Sequence, residues 1–131
     1  MYGKLIEKWG NIPIERKSVQ KSITSMNKAK LKLQNDNSIL VFPEGGRTRN
    51  GQLLRFKKLP FQLAKDAGVA IIPVGMSGVY SLNKKGSVLM RPGRVKIKFA
   101  SPIPAEKVIA LPHDELMKET RAQIESLIEY I

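Results

Sequence analysis

The sequence predicts a single α/β domain in which a central mixed, partly parallel sheet is flanked by helices. Its 131 residues match the usual length of one domain. Short apolar runs suited to buried strands alternate with longer stretches of helical periodicity. No internal repeat or flexible linker divides the sequence, so one domain spanning residues 1–131 is expected.

Three helices are predicted from apolar periodicity and from residues that start or stop helices. The first follows Ser18, a suitable N-cap, and runs to about Gln34. The second opens at Pro60, which fits the first turn of a helix, and closes at Gly68. The third follows Pro112 and carries apolar residues along one face, with acidic residues opposite.

Apolar or alternating runs predict strands at residues 38–42, 69–74, 87–90 and 95–99. The first two lie on either side of the second helix. A strand, a crossover helix and a second strand in succession imply a parallel pair with a right-handed connection. The last two are expected to pair with each other around the turn Arg91-Pro92-Gly93.

The charge and composition narrow the function classes. A formal net charge of +12 favours anionic partners, whether nucleic acid, an anionic membrane surface or a phosphorylated ligand. The absence of cysteine excludes disulfides and thiolate metal sites, and a single histidine cannot build an imidazole cluster. No apolar run is long enough for a spanning helix and no secretion signal is recognisable, so a cytosolic chain is expected.

The most informative segment is the run Phe42-Pro43-Glu44-Gly45-Gly46-Arg47-Thr48 at the carboxyl end of the first predicted strand. Ligands bind at that edge of α/β sheets. Adjacent glycines let backbone N–H groups turn toward an anion, and a guanidinium can hold a phosphate or carboxylate with two hydrogen bonds. Glu44 is expected to orient Arg47 or to accept a hydrogen bond from a ligand hydroxyl, because a carboxylate cannot bind the same anion.

Two further segments accompany this run, namely Gly10-Asn11-Ile12-Pro13-Ile14-Glu15-Arg16 upstream and Ile72-Pro73-Val74 downstream. With the three segments in this order, the chain resembles the glycerolipid acyltransferases of the lysophosphatidic acid acyltransferase type. The segments resemble the second, third and fourth motifs of that family, and Phe56-Lys57-Lys58 resembles the continuation of the third.

The resemblance implies an enzyme that moves an acyl group from acyl-coenzyme A or acyl-carrier protein to the hydroxyl of 1-acylglycerol-3-phosphate. The product would be phosphatidic acid, made in phospholipid biosynthesis at the cytoplasmic face of a membrane, with no other cofactor and no metal. Two arginines would grip the acceptor phosphate, the glutamate and glycines would shape the acceptor site, and the proline would form an adjoining wall. The substrate-binding residues so implied are Arg16, Glu44, Gly45, Gly46, Arg47, Thr48 and Pro73.

The chain departs from this family in its catalytic motif. The family's first motif, Asn-His-x-x-x-x-Asp, supplies the general base, and the chain has no such run. Its only histidine, His113, is expected to be a residue near the start of the last helix, so no catalytic residue is assigned. We therefore expect a C-terminal part of an acyltransferase domain, truncated at its N-terminus, that is inactive alone.

Two readings other than the enzyme remain open. The chain could be a degenerate relative that binds phospholipid or a membrane surface without reacting, since Lys17, Lys21, Lys28 and Lys32 share one helical face. The basic charge alone also suggests a nucleic-acid-binding module. The sequence has only eight aromatic residues and no recognisable nucleic-acid motif, which argues against that module.

Overall fold

A computed structural model of the chain describes residues 7–13, 19–84, 86–89 and 91–129. The chain divides into two compact units, Met1–Leu40 and Val41–Ile131. The first contains helix α1 (Val19–Gln34). The second contains helices α2 (Leu59–Ala67), α3 (Val79–Leu82), α4 (Ala105–Ala110) and α5 (His113–Leu127), with strands β1 (Val74–Ser77) and β2 (Lys96–Phe99).

Helix α1 confirms the first predicted helix and holds the described part of the upstream motif. The Lys32 ammonium donates to the Gly10 carbonyl at 2.6 Å, and the Ser25 hydroxyl donates to the Pro13 carbonyl at 2.7 Å. Ala29 of this helix is buried. Lys32 of the predicted basic face is therefore engaged within the unit, and Lys17 lies outside the described residues.

Residues 38–42 do not form the predicted strand. They have no strand pairing, and the side chains of Leu40 and Phe42 are 72% and 61% exposed. The predicted parallel pair of 38–42 with 69–74 is therefore wrong for the described residues. An apolar run becomes a strand only where a neighbour supplies its backbone hydrogen bonds, and that neighbour cannot be read from the run itself.

Helix α2 confirms the second predicted helix at both ends. Pro60 lies in its first turn, where the missing N–H costs nothing. Gly68 closes it in the left-handed conformation, at φ +65°, and donates its N–H to the carbonyls of the last turn. The Lys65 ammonium donates to the carbonyls of Ile109 and Leu111, so α2 is tied to the end of α4.

The described sheet has two antiparallel strands, β1 and β2. Val74 pairs with Phe99 and Ser77 with Lys96, and a bridge between Ile71 and Ile103 extends the ribbon. The α/β class is thus confirmed, and β2 forms close to where the alternation predicts it. The strand predicted at 69–74 is shifted along the chain, because β1 spans Val74–Ser77 and only Val74 is common to both ranges. The predicted pairing of 95–99 with 87–90 is wrong, because residues 87–89 form no strand and β2 pairs with β1 instead.

Helix α5 confirms the third predicted helix and packs closely on the ribbon. A β-carbon added at Gly75 of β1 would lie 2.6 Å from Cβ of Leu127, so this position requires glycine for close packing. The backbone N–H of Glu129 donates to the Ser77 hydroxyl at 2.8 Å. The core of the unit joins α2, α4 and α5 and contains Phe56, Phe61, Ala64, Ile103, Val108, Leu116 and Ile124.

Across the described residues, we find no helix with the length and apolar character needed to cross a bilayer.

Two lysines of β2 hold the carboxylate of Glu129. Lys96 donates to Oε2 at 2.6 Å and Lys98 donates to Oε1. These hydrogen bonds, first that from Lys96 and then that from Lys98, lower the pKa of Glu129 from 4.5 to about 2. The carboxylate therefore favours the folded state at neutral pH, because the folded chain holds the charged form more tightly than the unfolded chain does.

We predict that Glu129→Gln lowers the melting temperature at neutral pH. The stabilisation by Glu129 is fully present above its ordinary pKa of 4.5 and is lost as the pH falls toward about 2. The difference in melting temperature between the wild type and Glu129→Gln should accordingly shrink across that window. A difference that stays constant from neutral pH to about 2 would contradict the assignment.

Candidate functional site

The glycine-rich run forms the start of a loop that is closed by its own backbone. The Gly45 N–H donates to the Phe42 carbonyl at 3.1 Å, and the Lys57 N–H donates to the Pro43 carbonyl at 2.8 Å. Gly45 has φ +67°, a conformation that glycine adopts without steric cost. Gly46 is exposed, and a β-carbon added there would meet nothing within 4 Å, so this part of the loop opens to solvent.

Glu44 stabilises the loop internally. Its Oε2 accepts the N–H of Leu54 at 2.5 Å and so joins the two sides of the loop. Of the two predicted roles, orientation of Arg47 is wrong, because these two described side chains form no ion pair or hydrogen bond with each other. The other role, acceptance of a hydrogen bond from a ligand hydroxyl, stays a prediction.

Arg47 is exposed and is held from outside its own loop. Its Nη1 donates to Oδ1 of Asn83 at 3.1 Å. A guanidinium has five N–H donors, and this bond uses one of them. Asn83 directly follows α3 and precedes Lys84 in the sequence.

The hydroxyl of Thr48 is used within the loop. It donates to Oδ1 of Asn50 at 2.9 Å and accepts the backbone N–H groups of Asn50 and Gly51. This is a local turn of the kind that threonine hydroxyls commonly stabilise. Thr48 therefore sets the shape of the loop, and any contact with a ligand stays a prediction.

Tyr80 fastens the far side of the loop to α3. Its hydroxyl donates to the Arg49 carbonyl at 2.7 Å, and the Lys84 ammonium lies 5.6 Å from the centre of its ring. A β-carbon added at Gly51 would lie 3.1 Å from that ring, and Gly51 has φ +85°. Gly51 is thus required both for the backbone conformation and for the approach of the ring.

Pro73 and Arg16 complete the predicted set. Pro73 is fully buried, and its carbonyl accepts the N–H of Ala100 at 2.9 Å. It is a packing residue just before β1, and its predicted place in a wall of the site stays a prediction. Arg16 lies outside the described residues, so the predicted convergence of Arg16 and Arg47 stays a prediction too.

Arg121 of α5 clamps the returning side of the loop. Its guanidinium donates to the carbonyls of Leu54 and Leu53 at 2.7 and 3.2 Å, and its Nε lies 2.8 Å from Glu125. It also lies 5.5 Å from the centre of the Phe56 ring. Beside it is a shallow hollow of about 340 Å³ lined by Arg55, Phe56, Met117, Lys118 and Arg121.

Sequence reasoning missed the three side chains that hold the loop in place, Asn83, Tyr80 and Arg121. Each contacts the loop across 31 or more residues of sequence. Asn83 and Tyr80 belong to no recognisable sequence motif. Arg121 has the pattern of an ordinary charged residue on the surface of a helix. Gly51 is the one sequence feature that could have indicated such a contact, because a glycine at this point of a loop permits the close approach of another group.

His113 confirms its predicted place, because α5 begins at this residue. Over the described part of the chain, no three His, Asp or Glu side chains come together as they would around a metal ion.

Comparison with known proteins then identifies the family. A family model described as Acyltransferase matches residues 1–77, which include the upstream motif, the loop of Arg47 and the segment of Pro73. The chain belongs to the acyltransferase family.

Individual acyltransferases agree with this. The 1-acyl-sn-glycerol-3-phosphate acyltransferase alpha of Mus musculus is 38% identical over 99 residues, which cover 74% of this chain and 35% of the relative. The 1-acyl-sn-glycerol-3-phosphate acyltransferase of Limnanthes douglasii is 34% identical over 104 residues, which cover 79% of this chain and 37% of the relative.

A solved acyltransferase structure has the same fold. The chain resembles the 1-acyl-sn-glycerophosphate (LPA) acyltransferase PlsC from Thermotoga maritima with a TM-score of 0.73 and 31% identity, over 81% of this chain and 43% of that one. This acyltransferase chain therefore spans less than half the length of the relatives that it matches.

Proposed function

We propose that this chain provides the acceptor-binding part of a 1-acylglycerol-3-phosphate O-acyltransferase of phospholipid biosynthesis. The acceptor hydroxyl would attack the thioester carbonyl of acyl-coenzyme A or acyl-carrier protein. The carbon–sulfur bond breaks, the free thiol leaves, and phosphatidic acid is formed. Two observations support the proposal: the similarity of the chain to 1-acyl-sn-glycerol-3-phosphate acyltransferases, and the chemistry of the loop around Arg47.

The observation that carries the proposal is the exposed guanidinium of Arg47 on an open glycine loop. A phosphate monoester needs several donors and positive charge. Arg47 has donors beyond the one given to Asn83, and Lys84 follows Asn83 in the sequence. The acidic group nearest in sequence, Glu44, accepts the N–H of Leu54, which gives its charge a role inside the loop.

The proposal assigns acceptor binding, and not turnover, to these 131 residues. The reaction needs a general base near the acceptor hydroxyl, and the single histidine of the chain starts α5. Its Nε2 is buried and has no hydrogen-bond partner within the described residues. We therefore propose no catalytic role for His113.

Arg47→Ala is expected to weaken binding of lysophosphatidate about ten- to a hundredfold, because one charge-assisted contact to the phosphate is lost. The test is calorimetric titration with a short-chain lysophosphatidate kept below its micelle concentration. The monoacylglycerol that lacks the phosphate serves as the ligand control.

Arg55→Ala is the matched protein control, since Arg55 is also an exposed arginine of the same loop but lies at the hollow beside α5. We expect it to bind lysophosphatidate as the wild type does. Equal weakening by Arg55→Ala and Arg47→Ala would mean that only the net charge matters, and the proposed site would be refuted.

A further inference from the structure

A second loop presents apolar side chains to solvent. It begins at Asn83, the residue whose side chain accepts the hydrogen bond from Arg47. The N–H of Arg91 donates to the Leu82 carbonyl at 2.8 Å and closes the loop of residues 83–91. At its outer end, which we call the apolar tip and define as Val88 and Leu89, the two side chains are 99% and 77% exposed. Burial of two adjacent apolar side chains against another apolar surface would be favourable, because it removes them from water.

The described backbone of the apolar tip is shaped by local hydrogen bonds. The Ser87 N–H donates to the Lys84 carbonyl at 2.9 Å, and the Ser87 hydroxyl bonds both the N–H and the carbonyl of Leu89. Gly86 has φ +92°, which permits the turn. The exposure of Val88 and Leu89 thus belongs to a formed turn.

The charged residues of this loop and of the sequence on either side of it are all basic. Lys84, Arg91 and Arg94 are exposed on the two sides of the loop. Residues 67–105 contain no aspartate or glutamate. The carboxylate of Glu129 contacts Lys96 and Lys98 of β2, which leaves the field of the loop positive. Apolar side chains flanked by cations match the interface of an anionic bilayer, where hydrocarbon lies beneath phosphates.

The loop also touches the proposed acceptor site, because Asn83, its first residue, binds the guanidinium of Arg47. A lipid that enters the interface near the apolar tip would therefore present its phosphate close to Arg47. This link rests on the proposed function, in which the acceptor is a phospholipid.

We propose that the described residues of this loop and the adjoining Arg94 bind an anionic lipid bilayer, with Val88 and Leu89 inserted among the headgroups and with Arg91 and Arg94 on lipid phosphates. The loop would hold the acceptor site at the membrane surface.

The test is partition of the chain onto vesicles of phosphatidylcholine with and without phosphatidylglycerol. Val88→Ser with Leu89→Ser should lower partition at least about tenfold, because two apolar side chains no longer enter the interface. Arg91→Gln with Arg94→Gln should lower it roughly 30-fold on the anionic vesicles alone. Ile109→Ser, at an apolar position that is 55% exposed on α4, is the matched control and should leave partition unchanged.

Insertion is measured directly with a single tryptophan. In a Trp9→Phe background, the tryptophan of Leu89→Trp should show a blue shift of its fluorescence emission when anionic vesicles are added. The tryptophan of Ile109→Trp in the same background should show no such shift. The proposal is overturned if neither emission moves, if both move equally, or if the serine variants partition like the wild type.

One further outcome would assign the apolar tip to a different partner. If the apolar tip instead drives self-association without lipid, and the serine substitutions abolish it while vesicle binding persists, a second copy is the partner and the proposal fails. The vesicles contain no lysophosphatidate, so failure here leaves the soluble titration with Arg47→Ala unaffected. Failure of that titration would in turn leave a vesicle-binding loop in place.

Discussion

Gly78→Ala should destabilise the second unit by about 3–5 kcal/mol, since it combines backbone strain with a clash that neighbours cannot relieve. Gly78 precedes α3 with φ +85°, which an L side chain rarely adopts. A β-carbon there would lie 2.1 Å from the carbonyl oxygen of Arg94. Because that atom is backbone just before β2, relief requires moving α3 or the strand.

Two other glycines separate the causes of this effect. Gly68 has φ +65° but open space around an added β-carbon, so Gly68→Ala should show the strain alone, about 1–2 kcal/mol. Gly46 has neither problem, and Gly46→Ala should be close to neutral in unfolding. Denaturant unfolding of the three variants tests the ranking. Equal stabilities for Gly78→Ala and Gly68→Ala would show that the clash is absent.

Arg121→Ala should cost about 2–3 kcal/mol and should also weaken lysophosphatidate binding, although Arg121 has no contact with Arg47. The guanidinium bonds two loop carbonyls and covers the Phe56 ring, and charge-assisted bonds of this kind are among the stronger ones in proteins. The clamped segment includes Leu54, whose N–H is bound by Glu44. Loss of the clamp would therefore loosen the loop that carries Arg47.

The comparison that isolates this role uses Arg121→Lys and Glu125→Gln. Lysine keeps the charge but lacks the planar fork, so it should recover only part of the stability. Glu125→Gln removes the ion pair and leaves the carbonyl contacts, and it should cost less than 1 kcal/mol or so, as surface pairs usually do. Thermal unfolding and the lysophosphatidate titration are the two readouts. If Glu125→Gln costs as much as Arg121→Ala, the ion pair and not the clamp holds the loop.

The three predicted helices, α1, α2 and α5, were predictable because their signals are local, whereas the short helices α3 and α4 were not predicted. Pro60 and Gly68 mark the two ends of α2. The buried face of α5 is indicated by the helical spacing of Leu116, Thr120 and Ile124. Each signal acts within a few residues, where chain geometry alone decides the outcome.

The strand pairing was not predictable in the same way. The alternation at 95–99 indicates a strand but not its partner, and β1 replaces the expected neighbour at 87–90. The run at 38–42 is apolar enough for a buried strand and still has no pairing. Strand pairing joins residues distant in sequence, and its energy depends on the neighbouring surface.

The glycine loop of the site was recognisable from its residues, whereas its supports were not. Glycines and an arginine at residues 45–47 predict an anion site, because the chemistry of that prediction resides in those residues themselves. The carboxylate of Glu44 could equally have faced its neighbour Arg47, and only the folded position of Leu54 decides the contact. Asn83 reaches Arg47 because of the direction that the chain takes after β1, and no local sequence pattern predicts that direction.

The hydrogen bond between Arg47 and Asn83 has a consequence for the selectivity of the proposed anion site. An arginine free in solvent gives up as much as about 2 kcal/mol of rotamer entropy when it is immobilised. A guanidinium already anchored by an amide has surrendered part of that freedom before any ligand arrives. The anchored cation would then favour a monoester at one defined position over anions that bind equally well to a freely moving side chain.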